Sequence, residues 1–389
     1  MQVLSREAML VGLHQMAAFM TPWMLVYFAG RHGGEELIGE VSFWVAVATP
    51  VAVLGAIPSR NFLLVNNLFS ESYLYLFRLG YLITACVLVM VLSANADGSG
   101  LLIVLLVVKF SELSLDIPLA RALKLSRLDS IAAIFLLRLA VIGVSYVVGS
   151  INSSVYCFAV SQSVGFIIIS IFFFSAGGAS PRMPDYFSSM TLGLSSFVVA
   201  IESNIPRYIL GYYEDYRILS LFVACAFVTT AVSVMVNVLV QARLYAISVM
   251  FHEGDLAGVW QESKKILHFS IVVWACIYGL MISPGVGSIY FSIYDLSFDH
   301  EARMIIYISS VICLLSIFLS IGAGLVTAQK SYFLIFRSSS VFSLIGILAF
   351  LGCYVFWGYV AGLLSCMAIM ASHAYYYYYI AFRSGRALI

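Results

Sequence analysis

The chain has 389 residues, 62% of them hydrophobic and 10% charged, with a formal net charge of +1 and a mean hydropathy of +1.01. Soluble domains carry about 25% charged residues, so a soluble enzyme or binding domain is excluded, and a near-zero net charge without a basic tail gives no footing for nucleic-acid binding. Apolar runs of about 20 residues recur from end to end, which predicts an all-α, polytopic membrane protein; barrel strands would instead read as alternating segments of about 10.

Twelve spans are predicted, in two six-helix bundles of residues 1–178 and 179–389. The first six lie at 8–28, 37–57, 72–92, 100–119, 129–149 and 152–174, and the second six at 187–210, 217–240, 266–290, 304–328, 338–357 and 358–381. The first run follows Arg6 like a signal sequence, yet it is too long, is interrupted by His14 and Pro22 and has no small-x-small cleavage site, so it is read as a mature span. The longest joint on one side runs from about 241 to 265, and on the other from 294 to 303. Pro284 is expected to break the ninth span near its outer end.

Lys and Arg set the orientation. Thirteen fall in joints on one side, among them Arg60, Arg182, Lys264, Lys330 and Arg383, against Arg31, Arg217 and Arg303 on the other, so both termini are expected to be cytoplasmic. The opposite loops are acidic (Glu35, Glu36, Asp97, Glu214, Asp215, Asp295, Asp299, Glu301) and read as solvated carboxylates. A short repeat is visible: residues 30–39 lie over 211–220, each a glycine, an acidic turn and a helix start, after a span carrying Pro22 or Pro206. Six spans per half imply a parallel pseudo-two-fold repeat about an axis along the membrane normal.

Four bases (Arg78, Lys109, Arg138, Arg207) and four acids (Glu40, Glu112, Asp116, Glu202) fall inside spans, where each charge costs about 2.5 to 3.5 kcal/mol at the bilayer centre. Lys109, Glu112 and Asp116 share the spacing i, i+3, i+7 and hence one helix face, which either lines a cavity or forms an ion-pair ladder. Arg138 has no acid within helical reach, so its partner is another helix or a ligand anion. Arg78, in the cytoplasmic third of its span, reads as a snorkelling side chain or as a cavity cation. His14 and His373 are lone intramembrane histidines with two open readings, proton relay or structural. Tyr375 to Tyr379 read as an interfacial aromatic belt. The seven cysteines lie in apolar runs and read as small hydrophobes, and no nucleotide, metal or catalytic-triad motif is present.

Asn204-x-Pro206-Arg207-Tyr208, followed by Gly211 and an acidic loop, resembles the start of the second half of polysaccharide flippases of the multidrug/oligosaccharidyl-lipid/polysaccharide exporter superfamily. The resemblance implies a non-enzymatic carrier in the bacterial inner membrane that turns an undecaprenyl-pyrophosphate-linked oligosaccharide, for O-antigen or capsule, from one leaflet to the other. It implies contact with membrane lipids and other polysaccharide-assembly proteins, and no cofactor beyond H+ or Na+ as coupling ion. Arg138, Lys109, Arg78 and Arg207 are then the cavity cations, with Arg207 alternatively a gate partner for Glu202 or an outer-loop carboxylate. Glu112, Asp116 and Glu202 are the ion-coupling candidates. Two alternatives stand beside it: an organic-cation multidrug antiporter of the same superfamily, and a membrane polysaccharide polymerase.

Overall fold

The computed structural model describes residues 6–56, 71–92, 99–125, 127–174, 183–213, 215–329 and 332–387, and every regular element among them is an α-helix. Arg60, Asp97, Arg182, Glu214 and Lys330 lie outside the described residues. Two helical stretches are too long for one crossing: Arg6–Gly55 has 50 residues and Tyr332–Ala387 has 56, where about 20 suffice. Each is two helices meeting at a glycine with non-helical backbone, Gly34 (φ 64°, ψ −155°) and Gly358 (φ 82°, ψ −177°). These angles lie in a region that is essentially glycine-only.

The helices are therefore α1 (6–33), α2 (35–55), α3 (Glu71–Leu92), α4 (Ser99–Ser114), α5 (Asp116–Lys124), α6 (Leu128–Asn152), α7 (Val155–Phe172), α8 (Met183–Tyr212), α9 (Tyr216–His252), α10 (Leu256–Ile282), α11 (Pro284–Ile293), α12 (His300–Ala328), α13 (332–357) and α14 (359–387). With α4/α5 and α10/α11 each counted as one broken span, these account for the twelve predicted spans. The protein is a multi-pass membrane protein.

Both breaks have chemical causes. Pro118 has no N–H to donate to the Ser114 carbonyl, and the helix closes on a turn (Leu115 N to Glu112 O, 3.1 Å) before restarting at Asp116. At the second, Ser283 is extended (φ −64°, ψ 130°) and Pro284 begins α11 at the first helical position, where a missing N–H costs nothing. This is the break expected from Pro284.

The predicted joint at 241–265 needs correction. α9 continues to His252 and α10 begins at Leu256, capped by Asp255, whose Oδ1 accepts from Gly258 N at 2.8 Å. The predicted boundary rests on the length of one crossing, about 20 residues, whereas the largely apolar residues 242–252 continue the same helix beyond it.

The chain forms two compact units: Met1–Gly33 with Glu40–Ile201, and Gly34–Gly39 with Glu202–Ile389. The short piece 34–39 joins the second unit through the repeat segments themselves. Ser220 Oγ donates to Glu35 O at 2.6 Å, and Gly39 lies so close to Tyr216 that a Cβ there would meet its ring at 2.7 Å. With Gly30 aligned on Gly211, 35 pairs with 216 and 39 with 220, so the two contacts exchange. Such reciprocity is what a local two-fold axis produces.

On the loop before α12, Asp299 caps the helix (Oδ1 to Ala302 N, 2.9 Å) and pairs with Arg217, which also reaches Glu301 at 3.0 Å. Burial would raise the Asp299 pKa, but the Ala302 amide and the Arg217 guanidinium outweigh it and hold the carboxyl below its ordinary range. A lowered folded-state pKa means stabilisation that is complete above about pH 4 and lost as the carboxylate takes up a proton. Asp299→Ala is expected to cost about 1 kcal/mol, mostly the cap, because a pair this exposed adds little. Thermal unfolding in detergent should show that difference at pH 7 and a smaller one at pH 3.5.

Candidate functional site

In the first unit, α1 and α4 bring polar side chains, and α7 an aromatic ring, to Arg138, which is 2% exposed on α6. His14 and Thr21, seven residues apart, share one face of α1. The Arg138 Nη2 donates to Glu112 Oε1 on α4 and to Thr21 Oγ1 at 3.4 Å, while Nη1 lies 3.4 Å from His14 Nε2. The guanidinium carbon sits 5.4 Å from the Phe166 ring centroid on α7. The other Glu112 oxygen takes Lys109 Nζ at 3.0 Å. One carboxylate thus balances two cations, and neutralising it takes the counter-charge from both.

The face shared by Lys109, Glu112 and Asp116 is divided by the break at Leu115. Glu112 goes to Arg138, whereas Asp116 opens α5 and lies close enough to Arg78 to act on its charge. Arg78 does not snorkel. It is 2% exposed, with Nη1 donating to Leu113 O at 2.7 Å and Nη2 to Ala56 O at 3.0 Å. Those carbonyls close α4 and α2, where helix ends lack internal donors and carry partial negative charge; the guanidinium fork answers both.

In the second unit, Glu202 on α8 contacts His373 on α14, Oε1 to Nδ1 2.9 Å, with both side chains buried. The imidazole lies between Phe342 (4.4 Å, 16°) and Tyr377 (4.4 Å), and the Tyr377 hydroxyl meets Ser339 Oγ at 3.0 Å. The His373 Nε2 has no hydrogen-bond partner among the described residues. Pro206, inside α8, lacks the N–H that would bond the Glu202 carbonyl. Arg207 donates to Asn204 Oδ1 at 3.2 Å and makes no ion pair among the described residues. The gate pair expected between Arg207 and Glu202 is therefore not formed, because His373 holds the carboxylate. Glu40 is half-buried on α2 and belongs to neither cluster.

No protein-family profile and no curated protein sequence matches the chain. Solved structures do, over nearly its whole length. A MATE protein in complex with MaL6 aligns with TM-score 0.66 and 13% identity, covering 98% of this chain and 97% of that one. The eukaryotic MATE transporter AtDTX14 gives 0.67 and 12%, covering 99% and 98%. The outward-facing form of a multidrug resistance MATE family transporter of the MOP superfamily gives 0.66 and 12%, covering 99% and 96%. The fold is that of the MATE transporters. Within that fold, the Arg138 cluster, the Glu202–His373 pair and Arg78 are buried charged groups among the described residues.

Proposed function

We propose that the chain is a secondary transporter of MATE fold that works by alternating access, exchanging protons for an organic cation, with Glu202 and His373 as the proton-carrying pair. The observation that carries the reading is the buried contact between this carboxylate and this imidazole. One proton added to or removed from the pair changes the charge of that pair alone, whereas neutralising Glu112 takes a shared counter-charge from both Lys109 and Arg138. Imidazole is a poor partner for Na+, which takes oxygen ligands, so the pair fits H+ better. The membrane is proposed to be the bacterial inner membrane, with both termini cytoplasmic, and residues 1–178 and 179–389 as the two halves.

An organic-cation substrate is supported by the engagement of the intramembrane bases: Arg78 with carbonyls, Lys109 and Arg138 with Glu112, Arg207 with Asn204. The solved MATE transporters of this fold include one described as a multidrug resistance transporter. The second reading, flipping of a lipid-linked oligosaccharide, is favoured by the Asn204-x-Pro206-Arg207 segment and by the surplus positive charge around Glu112. Arg138 and Lys109, within the first unit, would then bind the pyrophosphate.

The test is transport in proteoliposomes under an imposed pH gradient, with a fluorescent organic cation as substrate. Gradient-driven accumulation is expected for the wild type and is expected to fall at least tenfold in Glu202→Gln, with substrate binding retained. A wild type that moves no cation but restores surface polysaccharide to a flippase-deleted bacterium would shift the assignment to the second reading. Accumulation that follows a Na+ gradient alone would remove the proton.

A further inference from the structure

Tyr375 to Tyr379, the tyrosine run near the end of α14, is not used by either buried cluster as a whole. Helical spacing divides it: Tyr377 turns inward to His373 and Ser339, whereas Tyr375 and Tyr378 turn to a cavity of about 460 Å3 bounded by α10, α12 and α14. From α10 come Trp260, Lys264 and Leu267, spaced i, i+4, i+7; from α12, Phe318; and from α14, Tyr375, Tyr378 and Phe382, spaced i, i+3, i+7. The walls are apolar and aromatic, yet Trp260 is 43% and Tyr375 73% exposed, so protein does not cover them. Along α14 the groove runs from Ala371 to Phe382, roughly 17 Å at 1.5 Å per residue. That is close to one leaflet's share of a hydrocarbon core of about 30 Å.

The charge at the mouth is one-sided. Lys264 is exposed, makes no ion pair among the described residues and holds its Nζ 5.0 Å from the Trp260 ring centroid. Arg383, one residue past Phe382, is exposed and donates to the Tyr379 hydroxyl at 2.6 Å. Lys265 is instead taken by Glu262 at 2.5 Å, and Glu262 also faces Arg243 at 3.8 Å. An apolar trough as long as an acyl chain, edged by aromatic side chains and by two cations that make no ion pair among the described residues, has the form of a site for an amphiphile with a negative head.

We propose that this groove is a specific site for one anionic glycerophospholipid of the leaflet facing the C-terminal end of α14. The acyl chain lies against Phe318 and Tyr378, and the phosphate meets Lys264 and Arg383. Tyr375 and Trp260 sit at the boundary, where amphipathic rings belong.

The full-length protein, delipidated in detergent, is titrated with phosphatidylglycerol and with phosphatidylcholine of the same acyl chains and followed by native mass spectrometry. The first phosphatidylglycerol is expected to bind at least fivefold more tightly than phosphatidylcholine. Lys264→Gln, a change at an exposed side chain that leaves packing intact, is expected to weaken phosphatidylglycerol about fivefold and remove the preference. Ala371→Trp fills the groove and leaves the cations in place, and is expected to lose the tight lipid altogether. Equal retention of the two lipids, phosphatidylglycerol binding unchanged by Lys264→Gln, or a dimer in which the groove is shielded by a second copy would each overturn the proposal.

Discussion

Arg138→Met is expected to destabilise the protein by about 3 to 5 kcal/mol, the usual cost of removing one partner from a buried ion pair. The guanidinium is 2% exposed and its contacts reach α1 and α4, so methionine removes the guanidinium from Glu112, Thr21 and His14 and leaves the carboxylate to Lys109. Glu112→Gln is expected to cost a similar amount, because two cations then face each other with no carboxylate between them. The two changes together should cost much less than their sum, since a pair removed as a unit leaves no stranded charge at Arg138. Unfolding by SDS in mixed micelles, run on both single variants and the double, measures the coupling. Strictly additive losses would show that the two side chains are not paired in the bilayer.

Arg78→Leu is the second large effect, expected at about 2 to 4 kcal/mol. It removes the donors to Ala56 O and Leu113 O, and each buried polar group left unsatisfied costs about 1 to 3 kcal/mol. Arg78→Lys separates this role from snorkelling. An ammonium is one compact donor group, and it does not reproduce a planar fork that addresses two carbonyls on different helices, so lysine should recover only part of the loss. A side chain that merely reached the headgroups would accept lysine without penalty. The same micelle assay distinguishes the two, with transport by the surviving fraction showing whether the clasp at the α4/α5 break is needed for movement as well as for folding.

The two predictions turn on residues that the sequence marks in the same way and the structure treats differently. Arg78 and Arg138 are both lone arginines in apolar spans. No local pattern says that the first meets carbonyls at the ends of α2 and α4 while the second meets a carboxylate 26 residues away. The i, i+3, i+7 spacing of Lys109, Glu112 and Asp116 places all three on one face only if the helix is unbroken. Pro118 was the available sign that it is not. Likewise His14 and His373 carry identical local signals, an imidazole in an apolar run, and only packing gives one an arginine neighbour and the other a carboxylate.

What the sequence by itself determined is the class of the molecule: α-helical and multi-pass, with twelve spans, a break at Pro284, and eight intramembrane charges that need partners. These follow from the solvent, because a hydrocarbon core requires about 20 apolar residues per crossing, internal backbone bonding and compensation for every charge, and all three are written locally. The tertiary structure alone decided the pairing of Glu112 with Lys109 and Arg138, the pairing of Glu202 with His373, the clasp of Arg78, and the groove that gathers Trp260, Lys264 and Tyr375. Each depends on helices far apart in the chain arriving side by side, and lipid-facing and protein-facing residues are equally apolar, so hydropathy carries no record of which helix faces which.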